Sequence, residues 1–449
     1  MLPLIFSAAN AKFKNRFSIF FFSIFFIACN FFFLPSLLAQ PTISLSDAIG
    51  SNGGEGISDL IISSNGDIIF VGVVGDSVNG DVDCVLHGNG DVWLVRITES
   101  GSIVSQKCFG GSESEETYQI IETVDGGFLF TARTFSNDGD VSGNHSTNAD
   151  IWVVKLDSDF NMQWQRCIGS LGYESTYTII QLKNSKYLLS CYTFGVGGDF
   201  PIKYGYGFNN DAWLTWINTD GTIDTSLIYG GSGDDYISEV IELPDGALQC
   251  FGYTSSADYD LAGTTPNGNW DVWVFKIDSV GNIKWTNRWG SSGNEGLVSA
   301  VQLDNNQFLA AGSRGNDDVW ILKLDSLGNN LSENYYGGSS IESIDGQRRL
   351  TPTDNGLFTI GAWATSSDGD VGINYGMIDF WMLTVDSNGI LLSSKDVGGS
   401  QYDYCLGIAA GQNSAMLGGQ TSSNDFDVQN FHGGSADGWL VKLDGINLS

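Results

Sequence analysis

Seven copies of one sequence pattern run through this chain from residue 50 onward. In each copy an Asp-x-Trp tripeptide opens a stretch of alternating apolar and polar residues, and the tripeptide recurs roughly every 60 residues. A second marker, a glycine followed five residues later by an acid, accompanies it. Such self-similarity predicts one supersecondary unit stacked seven times. The tripeptide pairs are Asp91/Trp93, Asp150/Trp152, Asp211/Trp213, Asp271/Trp273, Asp318/Trp320, Asp379/Trp381 and Asp437/Trp439. The glycine and acid pairs are Gly50/Glu55, Gly110/Glu115, Gly169/Glu174, Gly230/Asp235, Gly290/Glu295, Gly337/Glu342 and Gly398/Asp403.

The fourth copy shows that each unit consists of strands. Its alternating segments, 236–243, 247–253, 271–277 and 283–289, are separated by two short turns and one long loop, 254–270. Period-two alternation excludes helical solenoids. The sequence therefore predicts an all-β fold, a seven-bladed β-propeller of four-stranded antiparallel blades. The predicted units are about 50–109, 110–168, 169–229, 230–289, 290–336, 337–397 and 398–449.

The two ends of the repeat region predict how the ring closes. The last copy stops after its third strand at Leu443, while residues 42–49 lie where a fourth strand should precede Gly50. An N-terminal strand within 41–49 is therefore expected to complete the last blade. This exchange would hide sheet edges that otherwise template aggregation.

Residues 1–39 have the pattern of an export signal, in which basic residues precede the apolar run 17–33. Ala39 meets the small-residue requirement for cleavage, so the mature chain is predicted to start at Gln40. The protein is then expected to be exported and to be secreted, periplasmic or on the outer surface. Two alternatives remain, an uncleaved N-terminal segment that anchors the chain in a membrane and a lipid-modified Cys29.

The cysteines of the mature chain follow the repeat. Cys108 and Cys167 occupy the same place in successive units, as do Cys191 and Cys250, which is the distribution expected of small buried residues on strands. Buried free thiols are therefore favoured. Disulfides remain the alternative in an oxidising compartment. The six cysteines are Cys84, Cys108, Cys167, Cys191, Cys250 and Cys405.

One composite pattern resembles a known family. D-G-G-[FY]-[LI], S-x-D-G-D-V-x-G, D-x-W-[VL]-[VL]-K-[LI]-D and [IM]-x-W follow one another most completely between Gly126 and Trp164. The pattern resembles the propeller-type repeats of secreted bacterial surface proteins and is similar, more loosely, to YVTN-like β-propeller repeats. The resemblance covers residues 41–449. It implies the architecture but no reaction, because most such proteins are known only as exported surface or adhesion-like proteins.

Charge and composition exclude several functions. The chain has 52 acidic and 20 basic residues and a net charge of −32, so nucleic acid and anionic membrane surfaces are excluded as partners. Its three histidines, His87, His145 and His432, fall in predicted loops without a metal-binding spacing. G-x-S-x-G, H-E-x-x-H and P-loop motifs are absent from the sequence. No catalytic residue and no cofactor is assigned.

The repeated acids have a structural and a functional interpretation. The resemblance to YVTN-like blades implies that the first strand of each blade is innermost. The seven acids after the glycines would then lie around the channel mouth, where a carboxylate ring could bind a hard cation. Alternatively, each accepts backbone N–H bonds from the neighbouring blade that the glycine link leaves open. Sevenfold repetition favours the scaffold role, because a site usually breaks symmetry. The same reasoning makes the Asp-x-Trp aspartates structural and their tryptophans core residues.

Five long loops carry a [DN]-x-D pattern. Its paired oxygens leave a calcium site possible but weakly supported, since the spacing of a calcium loop is missing. Turn-forming contacts explain the same residues. The pairs are Asn79/Asp81, Asp138/Asp140, Asp258/Asp260, Asp368/Asp370 and Asp425/Asp427.

Features that break the symmetry are the better guide to a binding site. The fifth unit is about 13 residues shorter because Ser313–Asp317 replaces the long loop, so one sector of the loop face should be lowered. Aromatic and amide residues in the other long loops suit sugar faces and hydroxyls, or peptide side chains, with packing on their own blade as the alternative. The candidate ligand-binding residues are Tyr204, Tyr206, Phe208, Asn209 and Trp270, with Asn210, Tyr375 and Phe431 as further loop candidates.

The leading functional hypothesis is an exported, non-enzymatic propeller. It would bind a glycan, a peptide or a surface partner through its loop face. The alternative is a carbohydrate-active hydrolase or lyase that uses two Asp or Glu side chains on the same face. Two facing carboxylates in a deep cleft would favour the enzyme, whereas a shallow aromatic groove would favour the binding protein.

Overall fold

The computed structural model describes residues 40–205, 207–315, 318–344 and 348–446. The predicted export signal and Tyr206 lie outside these ranges. Within them the chain forms seven antiparallel sheets and two short 3-10 helices, Tyr259–Leu261 and Asp304–Asn306. The predicted seven-bladed β-propeller is confirmed. No helix in the described ranges has the length and apolarity needed to cross a membrane.

Blades 1 to 5 each contain four strands in chain order, and the N-terminal strand β1 (Thr42–Ile49) precedes them. These strands are β2 (Glu55–Ile62), β3 (Ile68–Val74), β4 (Asp91–Ile97), β5 (Ile103–Phe109), β6 (Glu115–Glu122), β7 (Phe128–Thr134), β8 (Asp150–Leu156), β9 (Met162–Ile168), β10 (Glu174–Gln181), β11 (Tyr187–Thr193), β12 (Asp211–Ile217), β13 (Ile223–Tyr229), β14 (Asp235–Glu242), β15 (Leu248–Thr254), β16 (Asp271–Ile277), β17 (Ile283–Trp289), β18 (Glu295–Gln302), β19 (Phe308–Arg314), β20 (Val319–Leu324) and β21 (Asn330–Tyr336).

Blades 6 and 7 depart from this plan. The innermost strand of blade 6 is split into two pieces, and blade 7 takes its outermost strand from the N-terminus. Their strands are β22 (Glu342–Ser343), β23 (Leu350–Pro352), β24 (Phe358–Ala364), β25 (Asp379–Val385), β26 (Leu391–Val397), β27 (Asp403–Ala410), β28 (Ser414–Thr421) and β29 (Asp437–Asp444).

The core lies between blades, because both faces of each third strand are covered. All seven residues of β8 are buried, and every Asp-x-Trp tryptophan is at most 1% exposed. Trp152 meets Phe130 edge to face at 5.7 Å within its blade. Phe130 in turn lies 5.8 Å from Phe109 of blade 1. Each blade therefore buries its tryptophan face against the next blade, as the repeat predicts.

The N-terminal strand closes the ring. β1 pairs antiparallel with β29 from Thr42 opposite Asp444 to Ile49 opposite Gly438. Innermost strands of blades 7 and 1, β27 and β2, also contact each other. The predicted closure by residues 41–49 is therefore confirmed.

The cysteines divide into two groups. Cys84 of the first long loop forms a disulfide with Cys108 of β5, so the prediction of a free thiol is wrong for these two. The prediction failed because the repeat shows only that Cys108 and Cys167 occupy equivalent positions. It does not show that the loop residue Cys84 of blade 1 lies beside Cys108. Cys167, Cys191, Cys250 and Cys405 are free and buried, as predicted.

Candidate functional site

The long loops and the glycine links share one face, the loop face, where side-chain oxygens bind main-chain N–H groups. Asp138 accepts a hydrogen bond from the N–H of Ser112 at 2.7 Å, and Asp258 accepts one from Ser232 at 2.7 Å. The first residue of every [DN]-x-D pair forms this bond. These side-chain bonds join loop to link across more than 20 residues. The same residues also form local turns, as where Val141 donates its N–H to the carbonyl of Asp138 at 3.0 Å. Among the described residues, no group of three His, Cys, Asp or Glu side chains could hold a metal ion.

The seven acids that follow the glycines start the innermost strands and are buried. Each accepts a hydrogen bond from the backbone N–H four residues earlier, as Glu115 does from Gly111 at 3.0 Å. The bond recurs in every blade. A threonine hydroxyl at the end of the second strand also donates in four blades, for example Thr134 to Glu115 at 2.6 Å. The acids hold the scaffold as predicted, although their backbone donors lie in the link itself.

Three histidines bridge neighbouring blades, which was not predicted. Nδ1 of His145 lies 2.6 Å from Asp150 of its own blade, and its Nε2 lies 3.5 Å from Asp199 of the next blade. The signal was in the sequence, since each histidine precedes an Asp-x-Trp aspartate by four or five residues. The other two bridges are Asp91–His87–Asp140 and Asp437–His432–Asp81.

The predicted ligand-binding residues lie on the loop face but do not form one cluster. Phe208 is 86% exposed, and its ring centroid lies 6.1 Å from that of Phe194. Asn209 donates to the carbonyl of Ser232 at 2.8 Å, so its amide fastens the loop. Tyr204 stacks on a ring of the next blade. Tyr206 lies outside the described residues.

Two of the further candidates are engaged within the protein. Asn210 donates to the Tyr236 hydroxyl at 2.9 Å. Phe431 packs against the core of blade 7, so for this residue the structural alternative holds. Tyr375 contacts Phe426 at 5.1 Å between ring centroids and remains half-exposed.

Trp270 belongs to a larger aromatic group, here called the aromatic wall, at the loop-face ends of the inner strands of blades 3 and 4. Trp270 stacks on Tyr253 with centroids 5.0 Å apart and lies 5.7 Å from Tyr236. The Tyr177 and Tyr253 hydroxyls lie 2.6 Å apart. Sequence reasoning treated these tyrosines as strand residues and missed them. The wall consists of Tyr177, Tyr192, Tyr236, Tyr253 and Trp270.

A cavity of about 270 Å³ opens beside the wall, where the fifth unit lacks its long loop. Trp270 and Tyr253 line one side, and Asn294, Glu295 and Val298 line the other. Strand β18 fits close to the wall because its second residue is glycine; a Cβ there would lie 3.0 Å from the Tyr253 ring. The cavity thus combines an aromatic face with the amide of Asn294 and the hydroxyl of Ser313, a mixture of apolar and polar groups that ligand pockets use.

Charged side chains enter the propeller's interior near its axis. Asp59 is fully buried and accepts a hydrogen bond from the N–H of Ile120 at 3.0 Å. Burial raises the pKa of Asp59 to about 6 and that of Glu239 to about 7, and the nearby Arg348 charge opposes both shifts. Arg348 and the buried Arg349 directly precede β23, the second piece of the divided innermost strand of blade 6.

A pair of facing carboxyls lies in blade 6. Asp379 and Asp396 are 0% and 6% exposed and interact electrostatically. Burial, together with the charge of Asp379, raises the pKa of Asp396 strongly. Glycoside cleavage needs two carboxyls that face a substrate, whereas this pair is covered by protein.

Grooves on the opposite face follow the repeat. One of them is a cavity of about 530 Å³ beside Ile62, Met416 and Lys442 at the seam between blades 7 and 1. Cavities of about 440, 430 and 380 Å³ occupy similar positions near Trp285, Trp216 and Phe358, between other blades. Their recurrence shows that these grooves arise from blade packing.

No protein-family model matches this chain, and no curated protein matches it. Solved structures similar to it include a protein of unknown function from Bacteroides caccae, at 13% identity and a TM-score of 0.40, covering 68% of this chain and 89% of that chain. A protein of unknown function from Dyadobacter fermentans is 12% identical with a TM-score of 0.44, covering 91% and 100%. The β-propeller domain of the Trilobed protease from Pyrococcus furiosus is 10% identical with a TM-score of 0.41, covering 82% and 91%. These likenesses assign no activity to the chain.

Proposed function

We propose that this protein is an exported, non-enzymatic binding protein that holds a neutral glycan in the cavity beside the aromatic wall. Trp270, stacked on Tyr253 at the rim of this cavity, is the observation that carries the proposal. The negative face of an aromatic ring attracts the positively polarised C–H face of a sugar. Export rests on the sequence pattern of residues 1–39.

The polar atoms around the cavity favour hydroxyl donors. Asn294 supplies an amide and Ser313 a hydroxyl at this cavity. Amides and hydroxyls both donate hydrogen bonds to sugar hydroxyls and accept them, while the net charge of −32 repels acidic polysaccharides. A neutral sugar meets both conditions.

Binding of the chain from Gln40 onward to a mixed glycan and peptide array tests the proposal. Wild type should bind neutral glycans, and Trp270→Ala should weaken binding at least about tenfold, the usual loss for a central aromatic contact. Trp285→Ala is the matched control, because Trp285 is a half-buried tryptophan on the opposite face. Selective binding of basic peptides, or equal glycan binding by Trp270→Ala and wild type, would contradict the proposal.

A further inference from the structure

Two blades place an aromatic residue where four others have glycine. The middle residue of the loop [DN]-x-D pattern is glycine in three blades, and Gly198 holds the equivalent place in blade 3, where Gly197 replaces the first residue of the pattern. These glycines, Gly80, Gly139, Gly198 and Gly369, have positive φ values of 61°, 63°, 55° and 63°. In blades 4 and 7 it is Tyr259 with φ 47° and Phe426 with φ 51°. A left-handed backbone disfavours residues with a Cβ, so the two aromatic residues are strained.

The surroundings add to this cost. A Cβ at the four glycines would lie 2.3 to 2.5 Å from the carbonyl oxygen of the glycine that opens the link. The same main-chain contact exists in blades 4 and 7, since Asp260 donates its N–H to the Gly230 carbonyl and Asp427 donates to that of Gly398. The backbone conformation at Tyr259 and Phe426 is therefore one that favours glycine. At both residues the carbonyl of the link glycine crowds the side chain.

Core packing does not compensate for this strain, because the rings point outward. Tyr259 is 56% exposed and Phe426 is 64% exposed. Each ring is covered on one side by an aromatic residue of the preceding blade. Tyr204 stacks on Tyr259 with centroids 4.4 Å apart and planes 13° apart, and Tyr375 covers Phe426 at 5.1 Å.

The covering residues take the place of the bridging histidines. Tyr204 and Tyr375 donate their backbone N–H groups to Asp211 and Asp379, as the histidines do to their Asp-x-Trp aspartates. Two blade boundaries thus have an exposed aromatic pair in place of a histidine bridge. Strain retained together with exposed rings is typical of ligand-contact positions.

The pairs face each other across the ring. One lies between blades 3 and 4 and the other between blades 6 and 7, three steps apart in a ring of seven. A ligand that touches both must be elongated and must cross the channel mouth. Acids adjoin both pairs, Asp258 and Asp260 at one and Asp425 and Asp427 at the other, which disfavours an anionic chain and suits hydroxyl donors.

We infer that the loop face binds an extended neutral polysaccharide through the pairs Tyr204–Tyr259 and Tyr375–Phe426. This inference rests on the proposed function and extends it from a single sugar cavity to a chain held at two further points. Simultaneous contacts multiply affinity, because the second contact forms within the same complex.

The test uses the chain from Gln40 onward with Tyr259→Gly, Phe426→Gly, both together, and Trp270→Ala. The probes are neutral glucans, xylans and mannans and their di- to decasaccharides. Affinity of wild type should rise with chain length, and either glycine variant should lower affinity for the polymer by about tenfold or more. Disaccharide binding should be unchanged in both. Melting temperatures should stay equal or rise, because glycine relieves the strain.

The outcomes separate this inference from the proposed function. Polymer binding that Trp270→Ala weakens, while both glycine variants leave it intact, would overturn the inference alone. A fall in melting temperature in the glycine variants would also overturn it, because it would make the rings structural. Absence of neutral-glycan binding in wild type, or selective binding of a peptide, would overturn both.

Discussion

Trp439 donates its indole N–H to the hydroxyl of Ser46 at 3.1 Å, across 393 residues of chain. In blades 1 and 2 the same indole N–H binds Gln106 or Gln165 of the fourth strand. β1 therefore supplies both the pairing and the side-chain acceptor that blade 7 lacks. The seam has the same tryptophan anchoring as these two blades.

Ser46→Ala should lower the free energy of unfolding by about 1 kcal/mol, since it leaves a buried indole donor without its acceptor. Ser44→Ala is the control, because that hydroxyl lies on the same strand but is exposed. Deletion of residues 41–49 should destabilise the whole ring far more. Thermal melting measures all three, and a truncated chain that melts like wild type would show that β1 does not close the ring.

Asp271→Ala should destabilise more than the equivalent change in blade 1. Its carboxylate lies 2.6 Å from Arg288, and both side chains are fully buried. Removing it leaves an uncompensated buried charge, which costs about 3 to 5 kcal/mol, whereas Asp91→Ala should cost about 1 to 3 kcal/mol. Urea unfolding compares them. Asp271→Ala combined with Arg288→Met should recover part of the loss; equal effects of the two single changes would contradict this account.

Stability should fall as pH rises from about 4 to 7. The pKa of Glu239 rises from 4.5 to about 7 on folding and that of Asp59 from 3.8 to about 6, because the protein desolvates both carboxyls. The folded state then binds these protons more tightly than the unfolded state, and this advantage disappears as pH passes the folded-state values. Glu239→Gln should flatten the profile and stabilise the protein at pH 8 by about 1 to 3 kcal/mol. Urea unfolding of wild type and Glu239→Gln at pH 5 and pH 8 measures the effect. The same difference in unfolding free energy between the two pH values in both proteins would contradict the prediction.

Loss of the Cys84–Cys108 disulfide should lower stability by about 2 to 4 kcal/mol, because the bond closes a loop between residues 24 apart. Reducing agent should lower the melting temperature of wild type. It should leave the Cys84→Ser, Cys108→Ser double variant unchanged. The same shift in both proteins would show that the disulfide is not responsible.

The sequence predicted the blades well, because the repeat determines them locally. The tryptophan equivalent to Trp152 is buried in every blade, and the acid equivalent to Glu115 accepts a hydrogen bond from its glycine link in every blade. The candidate site was predicted only in part. Trp270 was identified as a loop aromatic, but its partner Tyr253 alternates on a strand like any core residue. Which strand residues line the channel mouth depends on how neighbouring blades stack, and alternation within one strand does not encode that.

The interruption in blade 6 shows the same limit. Arg349 stands where other blades have Asp59 or Glu239, and extra residues before it break the innermost strand. The repeat marks this only as an insertion. Ring closure brings Arg348 and Arg349 near Asp59 of blade 1, nearly 300 positions away, and brings Arg348 near Glu239 of blade 4.

The joining of β1 to β29 also sets an order of events in biosynthesis. A ribosome releases β1 first and β29 last, so the N-terminal strand has no partner until nearly the whole chain has been made. Blades 1 to 6 have all of their strands before that moment, but the blades at the two ends lack the neighbour that closes the ring. Closure is therefore a single late step, and a chain truncated before Asp437 would lose the pairing for both of its ends at once.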